Sequence, residues 1–316
     1  GHGASVSSCE FFRGQPKSLV SCDVKGGVKV WDLRLGTCVR DIGPPPPADE
    51  AEALSCSTGN HDSVVASTWG EKLLVWDVAS GRLRDTYAEA HQDVVNYVSF
   101  HPGYPEILLS GGDDGLVCAV DTMRSPSDDD HLQNVLGVED NVRSFSLLGE
   151  QRSILCCVGT TEQVSLWAFG VQAATPEGEE TCRRCARFDH LRRMKDLRVQ
   201  QSGGYVVTTM CDEASGRLFV LAGSMKGELA LLHLNLTEVQ HAGWLEATPK
   251  LPGHTGLVRA GVVLPSGVIV TGGEDGRLCA WRPEDAAGAL RAVPSSSADA
   301  YLASRRVFLK PRATPY

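Results

Sequence analysis

Short runs of apolar residues, separated by Gly, Pro and Asp, recur along most of the chain. The stretch from Gly253 to Trp281 shows the pattern in full. Apolar alternation at 257–264 is followed by a turn, a second apolar run at 268–271, another turn and a third run that ends at Trp281. Alternation with a period of two predicts strands, and the short turns that contain Gly predict antiparallel hairpins. The sequence therefore predicts an all-β fold.

The same unit is visible six times. One large apolar residue marks the end of the third strand of each unit, and a small residue lies nine or ten positions before it. Successive large markers are 44 to 49 residues apart, with one interval of 65. Two spacings that agree indicate an internal repeat of the length found in β-propeller blades. The large markers are Trp31, Trp76, Val120, Trp167, Leu232 and Trp281, and the small ones are Ser21, Ser67, Ser110, Cys157, Ala222 and Thr271.

The last unit resembles the WD-repeat family in four residues of the right type and spacing, namely His254, Thr271, Asp275 and Trp281. The resemblance implies that these side chains form one buried, hydrogen-bonded tetrad in a β-propeller blade. The third unit repeats three of them as His91, Ser110 and Asp114.

The other units depart from this set of residues. In the first unit Lys25 occupies the position of the aspartate, which predicts a broken network there. In the fourth unit Cys157 and Thr161 replace the hydroxyl and the carboxylate. The resemblance also implies seven blades in the intact family, so that an N-terminal blade is expected to be missing from this chain.

The propeller is predicted to span residues 1–293, with the interval of 65 residues explained by a surface insertion at about 170–201. Residues 190–199 in that insertion are compatible with a helix. Residues 289–293 read as a strand that completes the last sheet, and residues 294–316 form a polar, basic tail. Residues 44–47 and 125–130 (SPSDDD) are interpreted as solvated loops between strands.

Charge and composition limit the class of protein. The 316 residues carry a net charge of −9, which disfavours binding to nucleic-acid phosphates. No apolar run reaches the length of a membrane span, so no membrane partner is expected. The eleven cysteines are an odd number, and several fall inside predicted strands, which favours free thiols in a reducing compartment. We therefore expect an intracellular protein of the cytoplasm, the nucleus or both.

No enzymatic chemistry is required by the motifs. The set His254, Thr271 and Asp275 resembles a catalytic triad, but its recurrence in another repeat favours a structural role, because catalysis needs a single site. Phosphate-binding loops and the common hydrolase and metalloprotease motifs are not found. No cofactor and no small-molecule substrate are therefore expected.

One cysteine pair raises the question of a metal site. Cys182 and Cys185 have the spacing of half a zinc site, with His190, Cys211 and His241 further along. A structural zinc site needs four ligands, commonly as two paired half-sites. A chance arrangement is therefore favoured over zinc, and no metal site is assigned.

The expected function is protein–protein interaction. In WD-repeat proteins the residues at the start of the first strand, and the residue before the turn aspartate, project onto the top face. Arg143 and Arg259 are the preferred hot spots, because Arg is favoured at the centres of interfaces. Transferred position by position, the resemblance gives Ser5, Ser7, Val94, Asn96, Asp113, Asn141, Arg143, Leu257, Arg259 and Glu274.

An alternative function rests on the first unit. Trp31, Asp32 and Arg34 resemble the WD-x-Arg box through which some WD-repeat proteins dock, as substrate receptors, onto the adaptor of cullin-4 ubiquitin ligases. Arg34 would then supply a bidentate donor at the bottom face.

Overall fold

The computed structural model describes residues 1–42, 45, 51–148, 152–170, 182–189, 204–212, 217–234, 239–246, 252–264, 266–283 and 290–292. This part of the chain contains 24 strands and no helix. It forms four four-stranded sheets and one eight-stranded sheet that contains two four-stranded blades, which gives the six blades of a β-propeller arrangement. The all-β prediction and the prediction of six blades are confirmed.

Each of the first three blades is a four-stranded sheet in which strands consecutive in sequence are hydrogen-bonded neighbours. Their strands are β1 (Val6–Phe11), β2 (Ser18–Asp23), β3 (Val28–Asp32), β4 (Thr37–Ile42), β5 (Cys56–Gly59), β6 (Val64–Trp69), β7 (Lys72–Asp77), β8 (Arg82–Tyr87), β9 (Val95–Phe100), β10 (Ile107–Gly112), β11 (Leu116–Asp121) and β12 (Leu132–Gly137).

The last three blades contain the strands β13 (Val142–Leu148), β14 (Ile154–Gly159), β15 (Val164–Ala168), β16 (Arg183–Phe188), β17 (Tyr205–Asp212), β18 (Arg217–Gly223), β19 (Leu229–Leu234), β20 (Val239–Glu246), β21 (Val258–Val263), β22 (Ile269–Gly273), β23 (Leu278–Pro283) and β24 (Leu290–Ala292). The fifth and sixth blades are joined into one sheet by a parallel pairing of β20 with β24.

All twelve markers read from the sequence lie where the repeat predicts. Each large marker is in the third strand of its blade, and each small marker is in the second. The strand predicted at 289–293 is confirmed as β24, which pairs with β23. The spacing of the repeat is therefore the spacing of the blades.

Two compact units contain these blades. Residues 1–161 with 165–185 form one unit, and residues 162–164 with 186–316 form the other. The first three blades belong to the first unit, and the fifth and sixth belong to the second.

The interior of the first unit explains why its central strands are apolar on both sides. Leu108 of β10 is aligned with Phe100 and Val120 and packs in one core with residues of the second blade. The next residue, Leu109, points to the opposite face and packs with Phe145 of the fourth blade. Because successive side chains of a strand point to opposite faces, a strand buried on both faces reads as a continuous apolar run.

The long interval between the fourth and fifth markers contains a strand. Residues 183–188 were expected to lie in a surface insertion, but they form β16, the fourth strand of the fourth blade. The blade thus takes its outer strand from a segment rich in Arg, whose alternation is weak. The patch at 190–199, most of the loop at 44–47 and the tail at 294–316 lie outside the described residues.

Two glycines of the second unit differ in the space around them. Gly227 and Gly276 occupy the same turn in successive blades, with φ of +84° and +70°. A Cβ on Gly227 would lie 2.5 Å from the backbone of His254, whereas a Cβ on Gly276 would meet nothing within 4 Å.

We expect Gly276→Ala to lower the free energy of unfolding by about 1–2 kcal/mol through backbone strain alone. Gly227→Ala should cost about 1–3 kcal/mol more, because the backbone of His254 must also move. Chemical denaturation of the two variants measures the difference. Equal stabilities would contradict a close approach of Gly227 to the backbone of His254.

Candidate functional site

The last blade contains a continuous chain of buried hydrogen bonds. The indole Nε1 of Trp281 donates to Oγ1 of Thr271 over 2.8 Å. Nε2 of His254 lies 2.8 Å from the same oxygen, and its Nδ1 lies 3.1 Å from Oδ1 of Asp275. An ionised carboxylate only accepts, so Nδ1–H donates to Asp275 and Nε2 accepts the hydroxyl proton of Thr271. The structure thus brings together the four residues that the family resemblance selected.

The carboxylate of Asp275 links these side-chain hydrogen bonds to the backbone, because it also accepts two backbone N–H groups. Burial alone would raise its pKa, but hydrogen bonds from the Thr255 N–H, from His254 and from the Arg277 N–H outweigh burial and hold the pKa below its ordinary value. A carboxyl group whose pKa is lowered by folding stabilises the folded state above its ordinary pKa. This contribution is lost as the pH falls through the lowered value.

The first blade has the same chain of hydrogen bonds, so the prediction of a broken network at Lys25 is wrong. Nδ1 of His2 lies 2.8 Å from Oδ2 of Asp23, and its Nε2 lies 2.6 Å from Oγ of Ser21. The indole of Trp31 donates to the same hydroxyl over 2.7 Å. Asp23, at the end of β2, replaces the missing turn aspartate.

The turn of the first blade explains this replacement. Oδ1 of Asp23 accepts the N–H of Gly27, which corresponds to Leu116 and Arg277 in the repeats where the aspartate is in the turn. A Cβ on Gly27 would lie 2.8 Å from Oδ2 of Asp23. The absence of a side chain there gives the carboxylate room to reach the turn from two residues earlier.

The remaining blades keep parts of the network. In the third blade His91 bonds Ser110 over 2.8 Å and Asp114 over 2.9 Å, and Val120 takes the place of the indole. In the second blade the indole of Trp76 donates to Ser67. In the fourth blade Trp167 donates to Ser165 of its own strand instead of to the residue in the marker position. The hydroxyl acceptor for the indole therefore recurs even where the histidine does not.

The residues expected on the top face fall into two groups. Ser5, Val94, Asn141, Arg259 and Glu274 are exposed. The other five are half-buried, and they are Ser7, Asn96, Asp113, Arg143 and Leu257.

Two of the half-buried residues bond the neighbouring blade. Oγ of Ser7 donates to the carbonyl of Ala53 over 2.6 Å. Nδ2 of Asn96 donates both to the carbonyl of Val142 at 3.0 Å and to Oδ1 of Asp113 at 2.7 Å. These side chains connect the first blade to the second and the third to the fourth, in addition to their predicted place on the surface.

Glu162 and Tyr205 do the same in the second unit and were not selected from the sequence. Oε2 of Glu162 accepts the N–H of Val206 over 2.5 Å, and the hydroxyl of Tyr205 bonds both the N–H and the carbonyl of Val258. A sequence signal exists for Glu162. It stands where four other repeats have a glycine of positive φ, and its own φ is 67°. Tyr205 has no comparable signal.

The exposed edge of the last blade carries an ion pair. Nε of Arg259 donates to Oε1 of Glu274 over 2.7 Å, and both side chains remain at least half exposed. The structure thus brings together two residues predicted from different positions of the repeat. Arg143, the other preferred hot spot, is half-buried at the start of β13.

The stretch Trp31 to Arg34 lies at the end of β3, at the opposite end of the first blade from Ser5 and Ser7. Arg34 donates from Nε and Nη2 to the two carboxylate oxygens of Asp32, and its side chain is 67% exposed. This pairing lowers the pKa of Asp32 to about 2. The guanidinium is therefore held in place by its own chain.

The cysteine pair considered for zinc lies in or beside β16. Cys182 accepts a hydrogen bond from Nδ2 of Asn134 at 3.0 Å, and Cys185 contacts the carbonyl of Arg183. His190 and the side chains of Cys211 and His241 are outside the described part. Among the residues that the structure does describe, no three His, Cys, Asp or Glu side chains form a group that could hold a metal. Nor does that part contain a helix suited to crossing a membrane.

Substitution of Asp23 tests the hydrogen-bonded network of the first blade. We expect Asp23→Ala to lower the free energy of unfolding by about 1–3 kcal/mol, because His2 and two backbone N–H groups lose a buried acceptor. Lys25→Ala is the control and should change stability by less than about 0.5 kcal/mol, because its side chain is exposed. Denaturation curves at neutral pH compare the two. A larger loss for Lys25→Ala would overturn the assignment of Asp23.

The sequence is similar to those of several known proteins. Residues 81–121 match the family model described as WD domain, G-beta repeat. The chain is 29% identical over 296 residues to WD repeat-containing protein GTS1 of Arabidopsis thaliana, an alignment that covers 90% of this chain and 72% of the relative. It is 23% identical to the WD repeat-containing protein 89 homolog of Dictyostelium discoideum, covering 82% and 66%. It is 24% identical to the DDB1- and CUL4-associated factor 11 homolog of Caenorhabditis elegans, covering 74% and 41%.

Among solved structures, the WD40 repeats of RRP9 match with a TM-score of 0.64 at 16% identity, covering 93% of this chain and 81% of that one. At this identity the likeness shows the fold alone. The sequence match, the relatives and the fold agree with the hydrogen-bonded sets of the first, third and last blades. The chain contains a WD repeat, and its sequence and fold are similar to those of the WD-repeat-containing β-propeller proteins.

Proposed function

We propose that this chain is a non-catalytic scaffold or adaptor that presents one edge of its blades to partner proteins. The observation that carries the proposal is the pair Arg259 and Glu274, a charged and exposed feature built by two different positions of the repeat. WD-repeat propellers generally bind other proteins. Our proposal is the identity of this face and of the residues that form it.

The buried networks support the absence of catalysis. The hydroxyls of Ser21 and Thr271 each accept an indole N–H and bond a histidine inside the protein. A nucleophile must reach a substrate carbonyl or phosphoryl group, and these oxygens are buried. The same set in three blades is better explained by strand register than by reaction chemistry.

The proposed face combines rigidity with exposed, varied chemistry. The blade-to-blade bonds of Ser7 and Asn96 fix the backbone from which Ser5, Val94 and Asp113 project. Side chains on a preorganised backbone lose less conformational entropy when a partner binds. This lower entropy cost supports a role of the proposed face in protein recognition. Its partners are proposed to be other proteins, with no nucleic acid and no small molecule as substrate.

An intracellular location is part of the proposal. The buried cysteines Cys22, Cys118 and Cys157 are free thiols in the structure. Burial raises the pKa of the Cys118 thiol to about 12, which keeps it protonated and unreactive. Such thiols suit a reducing compartment, and we propose the cytoplasm, the nucleus or both.

The face is tested with Arg143→Ala combined with Arg259→Ala. We expect the double variant to recover its partners at least about tenfold less well, because arginines at an interface centre carry much of the binding energy. Co-purification from native cells with quantitative mass spectrometry measures the loss. Arg82→Ala, an exposed arginine at the other end of the strands, is the matched control. Unchanged recovery of every partner by the double variant would show that the wrong face was chosen.

A second candidate function is that of a substrate receptor for a cullin-4 ubiquitin ligase. Two observations favour it, namely the exposed guanidinium of Arg34 and the similarity to a protein named DDB1- and CUL4-associated factor 11 homolog. Asp32 holds the guanidinium in one orientation, which would preorganise it for an acceptor on the adaptor.

Arg34→Ala tests this candidate. We expect the variant to lose co-purification with the ligase adaptor by about tenfold or more, since a bidentate arginine contact is lost. Arg82→Ala should retain it. Failure of the unaltered chain to recover any adaptor would end the candidate function and would leave the scaffold proposal standing.

A further inference from the structure

The loop between β11 and β12 is anchored at both ends and exposed at its tip. Thr122 donates from its N–H and its hydroxyl to the carbonyl of Glu106, and Tyr87 donates to the carbonyl of Arg124. At the other end His131 is buried and its carbonyl accepts the N–H of Asp121 over 2.8 Å. Between these anchors, residues 125–130 are exposed except for the half-buried Pro126. Another protein can therefore bind the tip while the hydrogen bonds between β11 and β12 stay intact.

The two serines of the tip are bonded differently. Ser125 closes the turn, because its N–H bonds Oδ2 of Asp128 at 3.0 Å and its carbonyl accepts the N–H of Asp128 at 2.9 Å. The hydroxyl of Ser127 has one hydrogen-bond contact, 2.8 Å from the hydroxyl of Ser125, whereas the hydroxyl of Ser125 also accepts the N–H of Ser127 at 3.3 Å. Ser127 is thus the more available nucleophile of the two.

Three exposed aspartates, Asp128, Asp129 and Asp130, follow Ser127 directly. Other exposed serines in the described part of the chain have different neighbours. Ser63 precedes two valines, and Ser80 precedes Gly-Arg. Carboxylates placed after a serine are the pattern that the basic substrate groove of an acidophilic kinase recognises by charge. The accessible hydroxyl and the acidic flank are separate features that occur together here.

We propose that Ser127 is a phosphorylation site for an acidophilic serine kinase. ATP supplies the γ-phosphoryl group. The Ser127 oxygen forms the new bond to phosphorus, the bond to the β,γ-bridging oxygen breaks, ADP leaves, and the hydroxyl proton passes to the catalytic base of the kinase. This proposal is independent of the scaffold function, and within the third blade the loop follows the end of β11 that is opposite to Asp113.

The loop contains a cation that the phosphate would meet. Arg124 pairs with the partly buried Asp121 at 3.2 Å and with Asp130, whose side chain is 66% exposed. Exposed ion pairs are weak, so Asp130 can leave Arg124 to enter a kinase groove at little cost. Afterwards the phosphate carries about −1.5 to −2 charges and competes with Asp130 for Arg124.

The test incubates the folded chain with the catalytic subunit of a kinase of the casein kinase 2 class and Mg-ATP, and maps phosphate by tandem mass spectrometry. We expect one phosphate, on Ser127, and none in Ser127→Ala. Ser125→Ala is the matched control and should still be modified. Asp129→Asn combined with Asp130→Asn should lower the initial rate by about tenfold, because the charge pattern is removed.

Phosphate that maps only to other residues, or no incorporation into the folded chain, overturns the proposal. So does a double asparagine variant that is modified at the rate of the unaltered chain. Circular dichroism of each variant confirms that the sheets are intact, so that loss of phosphate cannot be attributed to unfolding.

Discussion

The buried hydroxyl at the end of the second strand is the interaction on which each complete blade depends. In the first and last blades it accepts the indole N–H of the third strand and donates to a histidine that precedes the first strand. The histidine in turn donates to a carboxylate that accepts backbone N–H groups of the turn. One short chain of bonds therefore fixes three strands and a turn relative to one another. Removing one member of a complete network by mutation takes a hydrogen-bond partner from buried polar groups, which is why such networks specify register.

The carboxylate of a complete network tolerates a change of position in the sequence. Asp23 and Asp275 enter their networks from different places in the repeat, yet each accepts the same turn N–H, that of Gly27 or Arg277. What is preserved is the acceptor at that N–H and at the histidine. The position of the aspartate in the sequence is secondary, provided that a glycine leaves the necessary space.

Some of the side chains proposed for the partner face also form hydrogen bonds between blades. Ser7 and Asn96 lie at positions that the family uses for its top face, and in this chain they bond the carbonyl groups of the following blade. Glu162 and Tyr205 serve the same purpose from positions with no assigned role. A variant at Ser7 or Asn96 would therefore alter the scaffold together with the surface. Arg259 and Glu274, which pair within one blade, are better probes of recognition alone.

The sequence by itself determined the second and third strands of each blade and the twelve markers on them, because period-two alternation and the spacing of the repeat are local properties of the chain. It also selected the tetrad of the last blade, whose residues are fixed by type and spacing. Only the tertiary structure decided that Asp23 completes the first network, that residues 183–188 form an outer strand, and that Glu162 bonds Val206. Each of these depends on distances between segments that are separated along the chain, or on space left by an absent side chain, and neither is recorded in local periodicity.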